Sequence, residues 1–263
     1  MFDKLKRLGI PFVVFTIIAM VMKSLFPGDM AREVSFTISE FIHAILYPRE
    51  GPLLEMWFVA VIMWMFALTP LWNICLKSKM LSFVTFVIIF AIHLGVDYLP
   101  IGTFLCLRDT ARFGIYFYIG ILACKYGLDD RYKSSKYMVL VISIFLYSAF
   151  AMFNIRFGEA LSAIAFSVGL AFILDEYKPK AFSSFRNYTY QIFLISIFVQ
   201  ISIKMIYKHV SVMEVVLNHS MLIYGIFFLI CLLLGLYIPV IISKIAKEIN
   251  SRPILLCLGL KKK

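Results

Sequence analysis

The sequence predicts an all-α protein: a polytopic transmembrane helix bundle of about eight spans with one external amphipathic helix. Three observations carry that prediction. First, eight nearly unbroken apolar stretches follow one another through 263 residues, at 9–26, 53–75, 80–99, 112–126, 137–154, 158–174, 188–207 and 219–243. A helix rises ~1.5 Å per residue, so about 20 apolar residues cover the ~30 Å hydrocarbon core. Second, the chain is 62% hydrophobic and only 16% charged, where a soluble domain carries about a quarter charged residues. Third, the basic residues alternate between connections. Taking every second loop as one side, 18 of the 26 Lys and Arg fall together, among them Lys4, Lys6, Arg7, Lys133, Arg186 and Lys247. Cytoplasmic loops hold the excess of basic residues, which places both termini inside. The net charge of +11 thus reads as topology and attraction to anionic lipid, and nucleic acid is not an expected partner.

The elements follow in order. A basic stub at Lys4-Leu5-Lys6-Arg7 leads through Gly9 and Pro11 into the first span, with the proline expected near the helix start, where its missing N–H costs nothing. That stretch lacks a small-residue cleavage site, so it is expected to remain as a span. Residues 31–47 place Val34, Ile38, Phe41, Ile42 and Ile45 on one helical face and Ser35, Ser39, Glu40 and His43 on the other, an amphipathic helix at the outer interface. Pro48 and Gly51-Pro52 end it. The span 112–126 is short and must draw its flanking charges toward the interface. Short connections join the rest: a turn at 77–79, external loops at 100–111 and 208–218, a hairpin at 154–158, and charged internal loops at 127–136 and 175–185. The closing lysines are expected to be a solvated tail. No connection is long enough to fold separately, so residues 1–263 are read as one integral domain.

Ionisable groups inside spans are costly and are functional candidates by default. His93 and Asp97 lie four residues apart on one helical face, where a carboxylate can orient an imidazole for general-base work; two solvated groups at a span end would look the same. Arg108 and Arg112 could bind an anion or pair with Asp97 and Asp109, and ordinary anchoring of arginines at span ends is the other reading. Glu55, Glu159 and His219 share the external rim. The five cysteines include no CxxC pair, so no metal site or disulfide framework is expected. Hydrolase, P-loop and dinucleotide fingerprints are absent.

Three ordered motifs carry a resemblance. The stub Lys4-Leu5-Lys6-Arg7-Leu8-Gly9-Ile10-Pro11, the pair Trp57-Phe58 after Gly51-Pro52, and the run Thr189-Tyr190-Gln191-Ile192-Phe193-Leu194-Ile195-Ser196 are similar, in that order, to motifs of acyltransferase family 3, the bacterial multi-pass membrane O-acyltransferases. Phe117-Tyr118-Ile119-Gly120 adds a fourth likeness. The resemblance implies transfer of an acetyl or similar acyl group from acyl-CoA to a hydroxyl of a cell-envelope polysaccharide or lipid-linked sugar, in the bacterial inner membrane, with no bound cofactor. It gives Lys4, Lys6, Arg7, Trp57 and Tyr190 as substrate contacts, the basic ones holding donor phosphates.

Two departures qualify it. The family commonly has ten spans, with an essential His in the first; this chain starts just before the counterpart of the third. The late motif ends in Ser196 where the family has His. His93 with Asp97 is then the in-span candidate for the base. The alternatives are a transporter or flippase of lipid-linked sugars, for which repeats or broken helices would be expected, and an inactive fragment or partner subunit.

Overall fold

Backbone N–H and C=O groups in hydrocarbon must be satisfied within their own segment or a closed barrel, and this chain takes the first route. A computed structural model describes residues 2–26, 35–177, 183–209 and 221–261, and among them the regular structure is helical, with no strand. The helices are α1 (Phe2–Leu25), α2 (Ile38–Leu46), α3 (Trp57–Ala67), α4 (Thr69–Cys75), α5 (Lys79–Gly95), α6 (Leu107–Lys125), α7 (Leu128–Ser134), α8 (Lys136–Met152), α9 (Arg156–Tyr177), α10 (Ser183–Arg186), α11 (Thr189–His209), α12 (Met221–Ile249) and α13 (Arg252–Cys257).

Asp3–Leu25, Arg156–Tyr177 and Met221–Ile249 are long and apolar enough to cross a membrane, and the bent pair Trp57–Ala67 plus Thr69–Cys75 makes a fourth. Lys79–Gly95, Lys136–Met152 and Thr189–Ile203 are apolar but shorter, so helix length and composition support three or four spans, below the count of eight read from hydropathy. Large apolar side chains face outward, including Val141, Phe145 and Leu146 on α8 and Phe228, Leu229, Leu232 and Leu233 on α12. That outward face is what a lipid solvent calls for and what a soluble protein avoids. The chain is a membrane protein.

It divides into two compact units. The first comprises Met1–Leu71, Pro100–Thr110 and Phe185–Lys263. Its core joins Phe12, Phe15 and Ala19 of α1 with Val59 of α3 and Leu194 and Ile195 of α11, and the Phe15 and Phe198 rings meet at 5.4 Å. A second cluster joins Tyr188, Val240, Ala246, Leu255 and Leu260, seating α13 on α12. The second unit comprises Trp72–Leu99 and Ala111–Ser184. In it α8 and α9 form a hairpin turned at Asn154, whose φ of 55° is left-handed. Lys136 pairs with Glu176 and the Tyr137 and Tyr177 hydroxyls meet at 3.0 Å at the other end.

The structure departs from the sequence reading at five places. The first helix begins at Phe2, so the stub is helical and Pro11 lies inside α1, where it leaves the Arg7 carbonyl without its i+4 donor. The amphipathic helix is shorter than 31–47: Thr37 is extended and caps it, accepting from the Glu40 N–H at 3.3 Å, the start of a Thr-x-x-Glu box. Residues 31–34 lie outside the described residues. The span 53–75 is broken, with α3 and α4 meeting at 53°. Pro70 removes the donor for the Phe66 carbonyl, and the Thr69 hydroxyl takes its place at 2.6 Å. The short span 112–126 becomes the 19-residue α6 by starting at Leu107. Finally, the loop 127–136 contains α7. Asp29, Glu33, Lys178, Lys180, Glu214, His219, Lys262 and Lys263 lie outside the described residues.

Candidate functional site

The first two turns of α1 put Lys4, Arg7 and Leu8 on one face, and that face opens on a cavity of about 510 Å³ in the first unit. The start of α11 supplies Thr189, Tyr190 and Gln191; Arg186, Asn187, Phe66 and Lys247 add to the lining; and Gly259, Leu260 and Lys261 close it from the C-terminal end. Five of these side chains are cationic and none is acidic, which suits an anionic ligand. Two of the cations are held on aromatic faces, Lys4 at 5.0 Å over Phe66 and Lys247 at 4.4 Å over Tyr188. The Tyr190 hydroxyl donates to the Leu8 carbonyl at 3.0 Å, tying the late motif to the stub across most of the sequence.

Of the residues the sequence singled out for substrate, the structure brings Lys4, Arg7 and Tyr190 together at this cavity. Lys6 is exposed and is not in its lining, because residues two apart on a helix face different ways. Trp57 opens α3, nine residues before the Phe66 that lines the cavity, about 13 Å along the helix axis. There it stacks under the Arg49 guanidinium at 4.5 Å, whose Nε and Nη2 donate to the Asp109 carboxylate at 2.5 and 2.6 Å. Those hydrogen bonds hold the Arg49 guanidinium's pKa above its ordinary value. Neighbouring Leu105 and Cys106 have positive φ, 47° and 59°, and the Trp64 indole N–H fixes the Leu105 carbonyl at 3.0 Å. Cys106 is fully buried, and burial, with Asp109 adding, pushes its thiol up to about 11. Asp109 therefore meets Arg49 and not Arg108 or Arg112, the partners its sequence neighbourhood suggests.

His93 and Asp97 belong to the second unit. Asp97 lies beyond the end of α5, and its carboxylate meets the Arg112 side chain. His93 Nδ1 lies 2.5 Å from the Arg112 carbonyl oxygen. A carbonyl only accepts, so Nδ1 carries the proton and the lone pair lies on Nε2. Tyr116 and Phe157 flank the ring at 5.7 and 5.2 Å. Arg112 is thus the common partner of both residues, through its backbone and its side chain.

Sequence reasoning missed Arg186, Lys247 and Lys261 at the cavity. Their positions on the basic side of the topology were the available signal, but nothing in their spacing shows that they converge. Lys23, in the first span, is also buried, and a lysine inside an apolar stretch was the signal for it. Among the described residues no group of three or more His, Cys, Asp or Glu side chains is placed to hold a metal ion.

Residues 1–256 match the family model described as an acyltransferase domain, acyltransferase family 3, and the chain belongs to that family. No curated protein and no solved structure matches it.

Proposed function

From that membership as premise, we propose that the protein is an O-acyltransferase of the bacterial inner membrane. It would move an acetyl or similar acyl group from acyl-CoA to a hydroxyl of a cell-envelope polysaccharide or lipid-linked sugar. The observation that carries the reading is the convergence of Lys4, Arg7 and Tyr190, drawn from two separate motifs, on one basic cavity. Charge-assisted hydrogen bonds from those cations are the means of holding donor phosphates. In this reading the bundle has about eight spans, counting the shorter apolar helices as crossing a thinned bilayer. Both termini are cytoplasmic, so the cavity faces the acyl-CoA pool. The two units form one integral domain, since a single family match runs through both. The family resemblance implies Trp57 as a further substrate contact, at the opposite end of α3 and under the Arg49 guanidinium.

His93 is the proposed base, with Asp97 and Arg112 positioning it. Nε2 would take the proton of the acceptor hydroxyl at the end of α5. Over the whole reaction the acyl carbon exchanges its bond to the CoA sulfur for one to that oxygen, and the proton ends on the released thiol. The test is acylation of envelope glycan, read by mass spectrometry, in cells expressing the intact chain, Arg7→Ala or His93→Ala. Arg7→Ala is expected to raise KM for the donor about tenfold or more. His93→Ala is expected to lower turnover about 100-fold with little change in donor binding. Full acylation with His93→Ala would remove the base, and no acylation by the intact chain would remove the activity.

One observation favours a second reading, transport of a lipid-linked sugar: the broken span at Leu68. Transporter breaks expose backbone carbonyls to the cargo, whereas here the Thr69 hydroxyl already caps the Phe66 carbonyl. Sugar movement across vesicles without acylation would select that reading.

A further inference from the structure

The two walls of the basic cavity come from opposite ends of the chain, and adjacent residues of α11 tie each of them down. Tyr190 donates to the Leu8 carbonyl at 3.0 Å and Gln191 Nε2 donates to the Leu258 carbonyl at 2.7 Å. Gln191 is 4% exposed, so its amide is committed to that contact. The turn that follows, 258–261, then presses against the stub. Gly259 has φ +66°, and a Cβ there would lie 2.5 Å from the Arg7 carbonyl oxygen and 3.0 Å from the Tyr190 ring. Only glycine takes that conformation and that approach without strain. The Arg7 carbonyl it meets is the one that Pro11 deprives of a helical donor. Pro11, Gln191 and Gly259 together dock the C-terminal turn on the stub, and the docking brings Lys261 to the cavity that Lys247 also lines.

We propose that the C-terminal turn 258–261 is a built wall of this cavity, and that Lys247 and Lys261 form a second phosphate contact separate from Lys4 and Arg7. The ligand is then an anion bearing more than one phosphate group. The inference rests on the acyl-CoA reading above, and CoA has that chemistry, with a diphosphate and a ribose 3′-phosphate. Anionic lipid headgroups share the phosphate chemistry and are the other source to be distinguished.

The experiment measures binding of CoA and of dephospho-CoA, which lacks the 3′-phosphate, to the purified full chain in neutral-lipid nanodiscs by titration calorimetry. Intact protein is expected to bind CoA, and more tightly than dephospho-CoA. The double variant Lys247→Gln/Lys261→Gln alters side chains at the cavity rim and should weaken CoA about tenfold or more. Gly259→Val keeps every charge but displaces the turn, and should weaken CoA by a similar factor. If the intact chain binds CoA and both variants bind it equally well, the second contact is overturned and the acyl-CoA reading stands. If the intact chain binds no CoA, both fall. A third arm repeats the titration with phosphatidylglycerol in the discs. Should the lysine variant lose only retention of that lipid, with CoA affinity unchanged, the two lysines serve the membrane and the proposal is overturned.

Discussion

Arg49 shows how much a single side chain can hold in a short connection. It donates twice to Asp109, whose side chain is 8% exposed, and covers the Trp57 ring. Arg49→Ala would strand that carboxylate, and we expect a loss of about 2 kcal/mol, read as a lower unfolding midpoint in detergent. Arg49→Lys should recover only part of it, because an ammonium lacks the bidentate fork; full recovery would mean that charge alone matters. Next to it, the Cys106 thiol is raised from an ordinary 9.0 to about 11. A raised folded-state pKa contributes stability that is complete below the unfolded value and is lost as pH climbs through the folded one. Between about pH 9 and 11 the intact protein should therefore lose more stability than Cys106→Ala, and parallel unfolding midpoints across that range would contradict the assignment. Neither feature was legible in the sequence. Arg49 and Asp109 are 60 residues apart, and the sequence offered Asp109 a nearer partner on its own side, Arg108 or Arg112.

At the scale of elements, hydropathy located the helices and misjudged their ends, because apolar content says where lipid is and little about caps. The stub joins α1 since nothing in Asp3 to Arg7 opposes a helix, while Thr37 stops α2 early by offering its oxygen to the Glu40 N–H. The break between α3 and α4 was readable in principle from Thr69-Pro70, since proline withdraws the donor that the Phe66 carbonyl expects. Thr69 supplies the replacement, which gives the break a test. Thr69→Val keeps the shape and removes the hydroxyl, so it should destabilise by about 1–3 kcal/mol for an unsatisfied carbonyl. Adding Pro70→Ala returns an N–H to that carbonyl, and the double variant should regain most of the loss. If Thr69→Val is neutral in a thermal melt, the hydroxyl is not the cap.

For the whole molecule, two kinds of information lay in the sequence, and only one could be read without coordinates. Motif order was enough to indicate the family, and Lys4, Arg7 and Tyr190 do meet at one cavity. The rest of that cavity depends on where residues 186, 247 and 261 come to lie, which periodicity does not encode. Orientation is a different matter, since the charge asymmetry is a property of the full chain. With 18 of the 26 Lys and Arg on alternate connections, an even number of spans with both termini inside is expected. Reporter fusions at Lys133 and Glu214 should then read cytoplasmic and external respectively. The same arrangement places α2 outside, and Ser39, exposed in its first turn, should accept a membrane-impermeant thiol reagent in intact cells once changed to cysteine. Glu40 beside it is exposed as well, and a carboxylate at mid-bilayer would be costly, so α2 is expected at the interface. An unreactive Ser39→Cys, or both fusions reporting the same side, would break the alternation on which the span count and the cytoplasmic placement of the basic cavity both depend.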